Sequence, residues 1–264
     1  MTLRTILRGL VPLALVLAAP AARAGGFSTT NVQLLQGYDF DDNWFSNGAH
    51  PKDGKVTTLT LNTFSTWEYG DSFAFADLMR YDSRGGNGVD GKASTTYLEW
   101  HPRLFVNQLM GQKEPLFGFI RNWGFAGEVN QGTNFFAYLG GLGLDLQIPG
   151  FSVAGLNLYY RYDEYAGNTW QISPFWTVPF SVGPVPVLFT GFVDVNGTKY
   201  GADKKGVEIW AQPELLVDVL APFGGKAGKL HAGVEWYYHS GYAFGETKTT
   251  TTSAPQAMVQ WTVF

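Results

Sequence analysis

Three segments of this chain alternate apolar and polar residues with a period of two. In the segment 153–163, Leu156, Leu158 and Tyr160 share one parity, while Asn157 and Arg161 share the other. The segments 207–217 and 230–239 follow the same pattern and place glutamates and histidines on the polar parity. Successive residues of a β-strand point to opposite faces, so the pattern predicts strands with one apolar and one charged face. Water must reach the charged face.

Turn residues divide the chain into about twelve strands, an even number of the kind found in bacterial membrane barrels. No stretch of the mature chain reaches the ~18 consecutive apolar residues of a membrane helix, whereas strands of ~9–14 residues suit tilted spans. We therefore predict an all-β fold over residues 25–264, a transmembrane antiparallel β-barrel with both termini in the periplasm. The predicted strands are 30–38, 55–67, 73–82, 95–104, 119–128, 135–148, 152–165, 170–182, 187–196, 207–219, 230–241 and 256–264.

The first 24 residues have the pattern of a secretory signal peptide. Arg4 and Arg8 give a positive start, residues 10–21 form a short apolar run, and Ala22-Arg23-Ala24 offers a cleavage site. The alternative is an N-terminal helix that the mature protein keeps. We expect N-terminal sequencing of the mature protein to begin at Gly25, and a mature chain beginning at Met1 would contradict the signal peptide.

Composition narrows the class further. The chain contains 20 Phe, 13 Tyr and 9 Trp beside 33 Gly, and its charged fraction of 15% is below the ~25% of ordinary soluble domains. It has no cysteine, so disulfides and thiol chemistry are excluded. The formal net charge is −4, and removing the signal peptide with its three arginines lowers it to −7. Such a chain is not expected to bind nucleic-acid polymers, and its lumen should favour neutral or cationic solutes.

The connections sort into tight turns, expected on the periplasmic side, and longer polar loops, expected on the outer side. Residues 69–71, 149–150 and 183–184 are the tight class, and residues 39–54 and 83–94 are the long class. Pro174 and Pro179 lie inside the eighth predicted strand, where we expect bulges or a shorter strand. The chain ends in Phe264, but its period-two partner Thr262 is polar, so this C-terminal assembly signal is out of phase.

A soluble β-sandwich would also alternate, and it is the main alternative fold. A sandwich would place its aromatic residues in the core. Here paired aromatics lie near strand ends, as at Trp236, Tyr237 and Trp170, which suits the aromatic belts of a membrane barrel better.

The ordered motifs of the mature chain resemble the nucleoside-specific outer-membrane channels of the Tsx type. No single piece is specific, but their order and spacing together are similar to that family over most of the mature chain. The sequence departs from the nucleoside channels at residues 37–44 and in its outer loops. The matching pieces are Asn31-Val32-Gln33, Gly37-Tyr38-Asp39-Phe40, Phe73-Ala74-Phe75-Ala76-Asp77, Tyr97-Leu98-Glu99-Trp100-His101-Pro102-Arg103, Phe117-Gly118, Trp123, Leu139-Gly140-Gly141-Leu142-Gly143-Leu144-Asp145 and Val178-Pro179.

The resemblance implies a monomeric twelve-stranded barrel with a narrow channel lined by aromatic and ionisable residues. Members that pass nucleosides stack the base on aromatic side chains and hydrogen-bond the sugar with ionisable ones. By motif, these roles fall on Phe40 at the outer end of the first strand and on Glu99 and Arg103 of the fourth strand. Together with the parity argument, this gives the predicted solute-binding lumen residues: Phe40, Tyr97, Glu99, Arg103, Tyr159, Arg161, Trp210, Glu214, Glu235 and Tyr237.

Other chemistries have weaker support in the sequence. His231 and His239 lie eight residues apart on one strand, ~26 Å at strand rise, so they cannot share a metal ion. His101 or His50 joining one of them is less expected than a solvated histidine. We predict no metal and no cofactor. Residues 141–143, Gly-Leu-Gly, lack the third glycine and helix of a phosphate loop and are expected to open room in the lumen.

Three functional classes therefore remain in view. The first is a channel for nucleosides or similar small solutes, with outer-membrane lipid and the solute as its partners. The second is a non-conducting receptor or structural barrel, since small barrels can be plugged by side chains. The third is an outer-membrane hydrolase, but His239 and Ser240 are strand neighbours that point to opposite faces, and nothing fixes the separation of Glu208 and Glu235. We expect no enzymatic activity.

Overall fold

The computed structural model describes residues 26–41, 50–84, 90–133, 135–200, 204–241 and 250–264. The predicted signal peptide and Gly25 lie outside these residues, as does the side chain of His50. Twelve long strands dominate the described chain. They are β1 (Ser28–Gly37), β2 (Val56–Trp67), β3 (Gly70–Arg84), β4 (Asp90–Phe105), β5 (Ile120–Gly132), β6 (Phe135–Leu146), β7 (Val153–Asp163), β8 (Gly167–Val182), β9 (Val185–Tyr200), β10 in two segments (Lys204–Ala211 and Glu214–Asp218), β11 (Leu230–Gly241) and β12 (Thr250–Thr262).

The sheet closes on itself. Each strand pairs antiparallel with the next along the chain, and β12 pairs antiparallel with β1 through contacts such as Val32 with Trp261. Closure removes the free sheet edges that a bilayer does not tolerate. The chain therefore folds as a closed twelve-stranded antiparallel barrel, as predicted, and the sandwich alternative is wrong.

The two faces of the barrel have the parity that the sequence predicts. Leu158, Val234 and Trp236 point outward and are 38–50% exposed, whereas Asn157 and Glu235 point inward and are buried. The outward side chains form an apolar band suited to lipid, and the inward ones fill a polar lumen. This arrangement confirms the assignment of faces in all three alternating segments.

The prolines inside strands interrupt pairing without changing register. β8 keeps its full length, and its pairing with β9 lapses only between Phe175 and Ile172, around Pro174. β10 is divided in the same way at Pro213, and both of its segments keep one register against β9 and β11. Pro179 lies past the last pair between β7 and β8, so its missing N–H leaves no partner unpaired on that side. The expected bulges and shortened strand are wrong, because β8 loses two adjacent pairs with β9 while its register holds.

Both termini lie at the same end of the barrel, here called the terminal end, where the amide of Thr30 donates to the carbonyl of Phe264 at 3.1 Å. The opposite end is called the distal end. The expected contrast of loop lengths is only partly present. Strands β3 and β4 continue through most of the predicted loop 83–94. Two longer connections, 106–119 with a short helix at Val106–Leu109 and 219–229 with a 3-10 turn at Ala221–Phe223, lie at the terminal end.

Within the described part of the chain, no helix is long and apolar enough to cross a membrane.

Candidate functional site in the barrel lumen

A cavity of about 920 Å³ occupies the lumen. Its lining includes Thr29 and Thr262 at the terminal end and Phe40 and Lys199 at the distal end, so it reaches along the strands. Nine of the ten predicted lumen residues line it: Phe40, Tyr97, Glu99, Arg103, Arg161, Trp210, Glu214, Glu235 and Tyr237. Tyr159 points inward as predicted, but it packs against Ala126, Ala137 and Leu139 and is not part of the cavity wall. That part of the prediction is corrected, because neighbouring side chains cover its ring.

Aromatic residues gather at the distal end of the cavity. Phe40 inserts from the segment after β1 and meets Tyr237 of β11, with ring centroids 4.9 Å apart. Trp210 of β10 contacts Tyr237 edge-on at 6.1 Å and stacks on His239 at 3.6 Å. One face of the Trp210 indole is therefore already covered. The Phe40 and Tyr237 side chains are each 5% exposed, so the cluster forms a tight aromatic wall rather than loose rings.

A second aromatic set lies on the opposite side of the lumen. The rings of Phe135 and Tyr165 stack nearly parallel at 6.2 Å, and Tyr97 lies 6.5 Å from Phe135. Tyr165 belongs to the turn after β7, where partial burial raises the pKa of its hydroxyl and the Glu164 and Asp163 carboxylates add to the effect. It therefore remains a hydrogen-bond donor at neutral pH.

A hydrogen-bonded chain runs across the middle of the lumen. The Tyr97 hydroxyl donates to Glu99 Oε1 at 2.6 Å, and Glu99 Oε2 lies 2.8 Å from His101 Nε2. His101 Nδ1 lies 3.4 Å from Glu128 Oε2. The amide of Gln171 then donates to Glu128 at 3.3 Å. These residues come from β4, β5 and β8, so the hydrogen bonds link three strands of the barrel wall.

Arg161 and Arg103 both have carboxylate partners. Arg161 donates to Asp163 at 3.1 Å and to Gln171 Oε1 at 2.5 Å. Arg103 forms a two-point pair with Asp71 of β3, and its Nη1 lies 2.8 Å from a carboxylate oxygen of Asp145 in β6. Gly143 leaves room for this side chain, because a Cβ there would lie 3.3 Å from Arg103 Cδ. This supports the prediction that the glycines of residues 141–143 make space.

Several lumen carboxylates, in contrast, have no cation beside them in the described part of the chain. Glu214 and Glu235 lie directly opposite each other on β10 and β11. Glu235 accepts a hydrogen bond from Gln256 at 2.6 Å, and Asp77 accepts one from Thr60 at 2.5 Å. No Lys or Arg of the described chain forms an ion pair with Glu214, Glu235 or Asp77.

The cavity wall is acidic as a whole. Its only basic residues among those described are Arg103, Arg161 and Lys199, apart from two histidines. Like charges that line a narrow low-dielectric path disfavour anions. The nine acidic residues of the wall are Asp71, Asp77, Glu99, Asp163, Asp194, Glu208, Glu214, Asp218 and Glu235.

Sequence reasoning missed residues that take part in these networks. His101, Glu128 and Gln171 all point into the lumen and connect the predicted residues. Glu99 and His101 are two residues apart on one strand, so the sequence alone could have predicted that they share a face. The neighbour Glu128 depends on how β4 and β5 are staggered, which the alternation of residues does not contain.

The arrangement of the hydrolase candidates agrees with the parity argument. His239 points inward, with Nε2 3.0 Å from Glu208 Oε1, whereas Ser240 hydrogen-bonds to Thr251 in an exposed position. The two side chains therefore lie on opposite faces of β11. His231 faces the lumen near Asp218, in another part of the barrel.

Comparison with known proteins adds to the geometry. No family model matches the chain. Among solved structures it is similar to the translocator domain of the autotransporter NalP from Neisseria meningitidis, with 12% identity, a TM-score of 0.39 and coverage of 98% of this chain and 95% of that one. It is also similar to a TodX monoaromatic hydrocarbon channel mutant, with 11% identity, a TM-score of 0.30 and coverage of 95% and 92%.

A stretch of 120 residues is 31% identical to the outer membrane protein OmpK of Vibrio parahaemolyticus. The match spans 42% of this chain and 43% of that protein, so the chain covers less than half the length of the relative. The barrel is closed and has an apolar outer band, and part of the chain is similar to an outer membrane protein. Together these observations indicate a location in the bacterial outer membrane. This chain is a bacterial outer-membrane β-barrel protein.

Proposed function

We propose that the barrel is a diffusion channel for nucleosides or for flat, neutral solutes of similar size. The observation that carries the proposal is the cavity of about 920 Å³, whose wall combines aromatic rings with carboxylates and whose lining residues lie at both ends of the strands. Sites for small ligands typically have volumes of ~300–1,000 Å³, so the space is sufficient for one such solute.

The wall offers a mechanism of recognition. The aromatic residues at the distal end line the cavity, and stacking of a base on aromatic side chains is worth ~1–3 kcal/mol and tolerates different bases. Glu214 and Glu235, which have no cationic partner among the described residues, can accept hydrogen bonds from sugar hydroxyls beside the one that Gln256 donates to Glu235. Several weak contacts in succession suit a channel, because the solute must leave as readily as it enters. The resemblance to channels of the Tsx type supports the same solute class.

The roles of the predicted residues differ within this proposal. Phe40, Trp210 and Tyr237 provide the aromatic contacts, and Glu214 and Glu235 provide acceptors. Glu99 also lines the cavity, but its two oxygens already contact Tyr97 and His101. Arg103 and Arg161 already donate to aspartates, so we assign them to holding the wall in shape. Passage needs no covalent step and no cofactor. We propose a monomer that has lipid and solute as its partners, does not bind nucleic-acid polymers and has no catalytic activity.

A specific observation favours a second candidate, the non-conducting barrel. Phe40, Val56, Met79, Tyr81 and Tyr237 form a buried apolar cluster at the distal end, which is the kind of packing that fills a small barrel. Planar-bilayer recording separates the two candidates. A channel gives stepwise changes of conductance in single-channel current traces, whereas a filled barrel gives no such steps.

The solute claim is tested in the same recordings. Adenosine and thymidine at micromolar-to-millimolar concentration are expected to reduce the ion current reversibly, because an occupied cavity excludes ions. Equal reduction by glucose would point to a general pore. A current that ignores both nucleosides at every concentration would remove the solute claim while leaving the outer-membrane barrel in place.

Replacement of Phe40 or Trp210 by alanine is expected to weaken the nucleoside block by ~1–3 kcal/mol for each lost stacking partner. Because both side chains narrow the distal end, conductance without solute should rise at the same time. The matched control is Trp236→Ala, which removes a tryptophan that faces lipid and is 49% exposed. A loss of block in Trp236→Ala equal to that in Trp210→Ala would contradict stacking in the lumen.

A further inference from the structure

A histidine and two glutamates converge in the middle of the lumen wall. Glu99 and His101 of β4 and Glu128 of β5 each present one ligand atom, and these atoms all lie within 4.8 Å of one another. The two shortest separations use different ring nitrogens: His101 Nε2 lies 2.8 Å from Glu99 Oε2, and His101 Nδ1 lies 3.4 Å from Glu128 Oε2. An ion takes only one of the two nitrogens, and metal–ligand bonds of about 2.0–2.2 Å place neighbouring ligand atoms about 3 Å apart, so one carboxylate must turn towards the nitrogen that the other already faces.

The local backbone explains why these three side chains meet. Residues two apart on a strand share a face, so Glu99 and His101 both point into the lumen. The pairing of β4 with β5 lapses between Trp100 and Arg103, beside Pro102, while the register on both sides stays the same. Glu128 therefore remains opposite His101 in the stagger of the two strands.

A second observation is independent of the cluster itself. Asn130 of β5 is 3% exposed, and its Oδ1 is buried without a hydrogen-bond partner among the described residues. It is paired directly with Glu99 across the strands and lies two residues from Glu128 on the same face. The Asn130 amide also donates a hydrogen bond to the Glu128 carboxylate, so the amide lies against the cluster and would turn over to offer Oδ1 to an ion. A buried acceptor without a donor is costly, and an ion in the cluster would provide the missing partner.

We propose that Glu99, His101 and Glu128 bind one divalent transition-metal ion of the Zn²⁺ type, with Asn130 Oδ1 and solvent as further ligands. Imidazole and carboxylate together suit Zn²⁺ better than the all-oxygen sites that Mg²⁺ and Ca²⁺ prefer. Two glutamates and a neutral imidazole balance the double positive charge. Asp194, which interacts electrostatically with Glu99 and Glu128, adds to the attraction for a cation.

The site is open to the lumen at Glu99 and His101, whereas the Glu128 side chain is fully buried and does not line the cavity. Glu99, His101 and Asn130 line the cavity, so an ion that enters the barrel reaches the cluster without opening of the wall. Tyr97 and Gln171 already donate hydrogen bonds to the two glutamates, which holds the carboxylates in place around the histidine. The inference concerns binding to the wall and does not depend on which solute passes through the barrel.

The test is titration calorimetry on the full barrel in detergent, purified without a polyhistidine tag. Zn²⁺ is expected to bind the wild type at one ion per chain, and Mg²⁺ is expected to give no comparable heat. His101→Gln should weaken Zn²⁺ binding at least about tenfold, since even outer-shell changes cost 10–100-fold. The matched control is His231→Gln, which removes another histidine of the cavity wall and should leave binding unchanged.

A readout on the wild type covers the case in which His101→Gln fails to fold. Co²⁺ substituted for Zn²⁺ should give visible absorption bands that reach their maximum at one equivalent, and Zn²⁺ should displace them. Absence of saturable binding in the wild type overturns the site. Equal binding in wild type and folded His101→Gln also overturns it, as does loss of binding in His231→Gln alone.

Discussion

Replacing Arg103 with methionine is expected to lower the free energy of unfolding by about 3–5 kcal/mol, the cost of breaking a buried ion pair by removing one partner. The Arg103 side chain is 6% exposed and lies between Asp71, 5% exposed, and Asp145. Its guanidinium also lies over the rings of Phe105 and Phe175, at 5.1 and 4.9 Å. Without it, two carboxylates face each other in the wall with no cation between them.

Equilibrium unfolding in urea, with the barrel in lipid or detergent, measures this loss. Arg121→Met is the control, since Arg121 is exposed at the start of β5 and forms no ion pair among the described residues. We expect it to change stability by less than about 0.5 kcal/mol. Adding Asp71→Asn to Arg103→Met should recover part of the loss, because one uncompensated charge is removed. A double variant less stable than Arg103→Met would show that charge pairing is not the reason.

The outer band was predictable from the sequence because it depends on one quantity, the parity of each residue, and the strand order was predictable because each strand pairs with the next along the chain. Leu158 and Asn157 are neighbours in the chain, and the alternation alone assigns one to lipid and the other to the lumen. Strand ends were less predictable. Ser83 and Arg84 precede two glycines that have the composition of a turn, yet β3 continues to Arg84 because β4 is there to pair with it.

The networks of the lumen were only half predictable, for a physical reason. Parity identifies which side chains point inward, and it correctly gave Glu99 this orientation, while the family resemblance placed Arg103 in the lumen, where the structure also has it. It does not say which residues of the neighbouring strands they meet, because that depends on the stagger of strands around the closed barrel. Arg103 was therefore predicted as a solute contact, while the structure gives its donors to Asp71.

The second large expected effect is the loss of stability when a charged side chain is placed deep in the membrane. Leu158→Arg is expected to destabilise the barrel by ~2–4 kcal/mol, the cost of a lipid-facing arginine near the bilayer midplane. Leu158 lies mid-strand in β7, and its cross-strand neighbours Leu142 and Ile172 are also exposed and apolar, so the guanidinium would have no polar group beside it. Tyr162→Arg, on the same face near the end of β7, should cost only ~0–1 kcal/mol, because charge is tolerated near the interface.

Unfolding measurements on four proteins test whether the cost of an added arginine depends on its depth in the membrane. They are the wild type, the two β7 variants, and Asn62→Arg, which places the same charge mid-strand on β2 but inside the cavity. If the outer band faces lipid, Leu158→Arg is the least stable of the four, and Asn62→Arg stays closer to wild type because water and nearby carboxylates solvate its charge. Equal losses for Leu158→Arg and Tyr162→Arg would mean that depth has no influence, and the outer band would then not be a membrane-spanning surface.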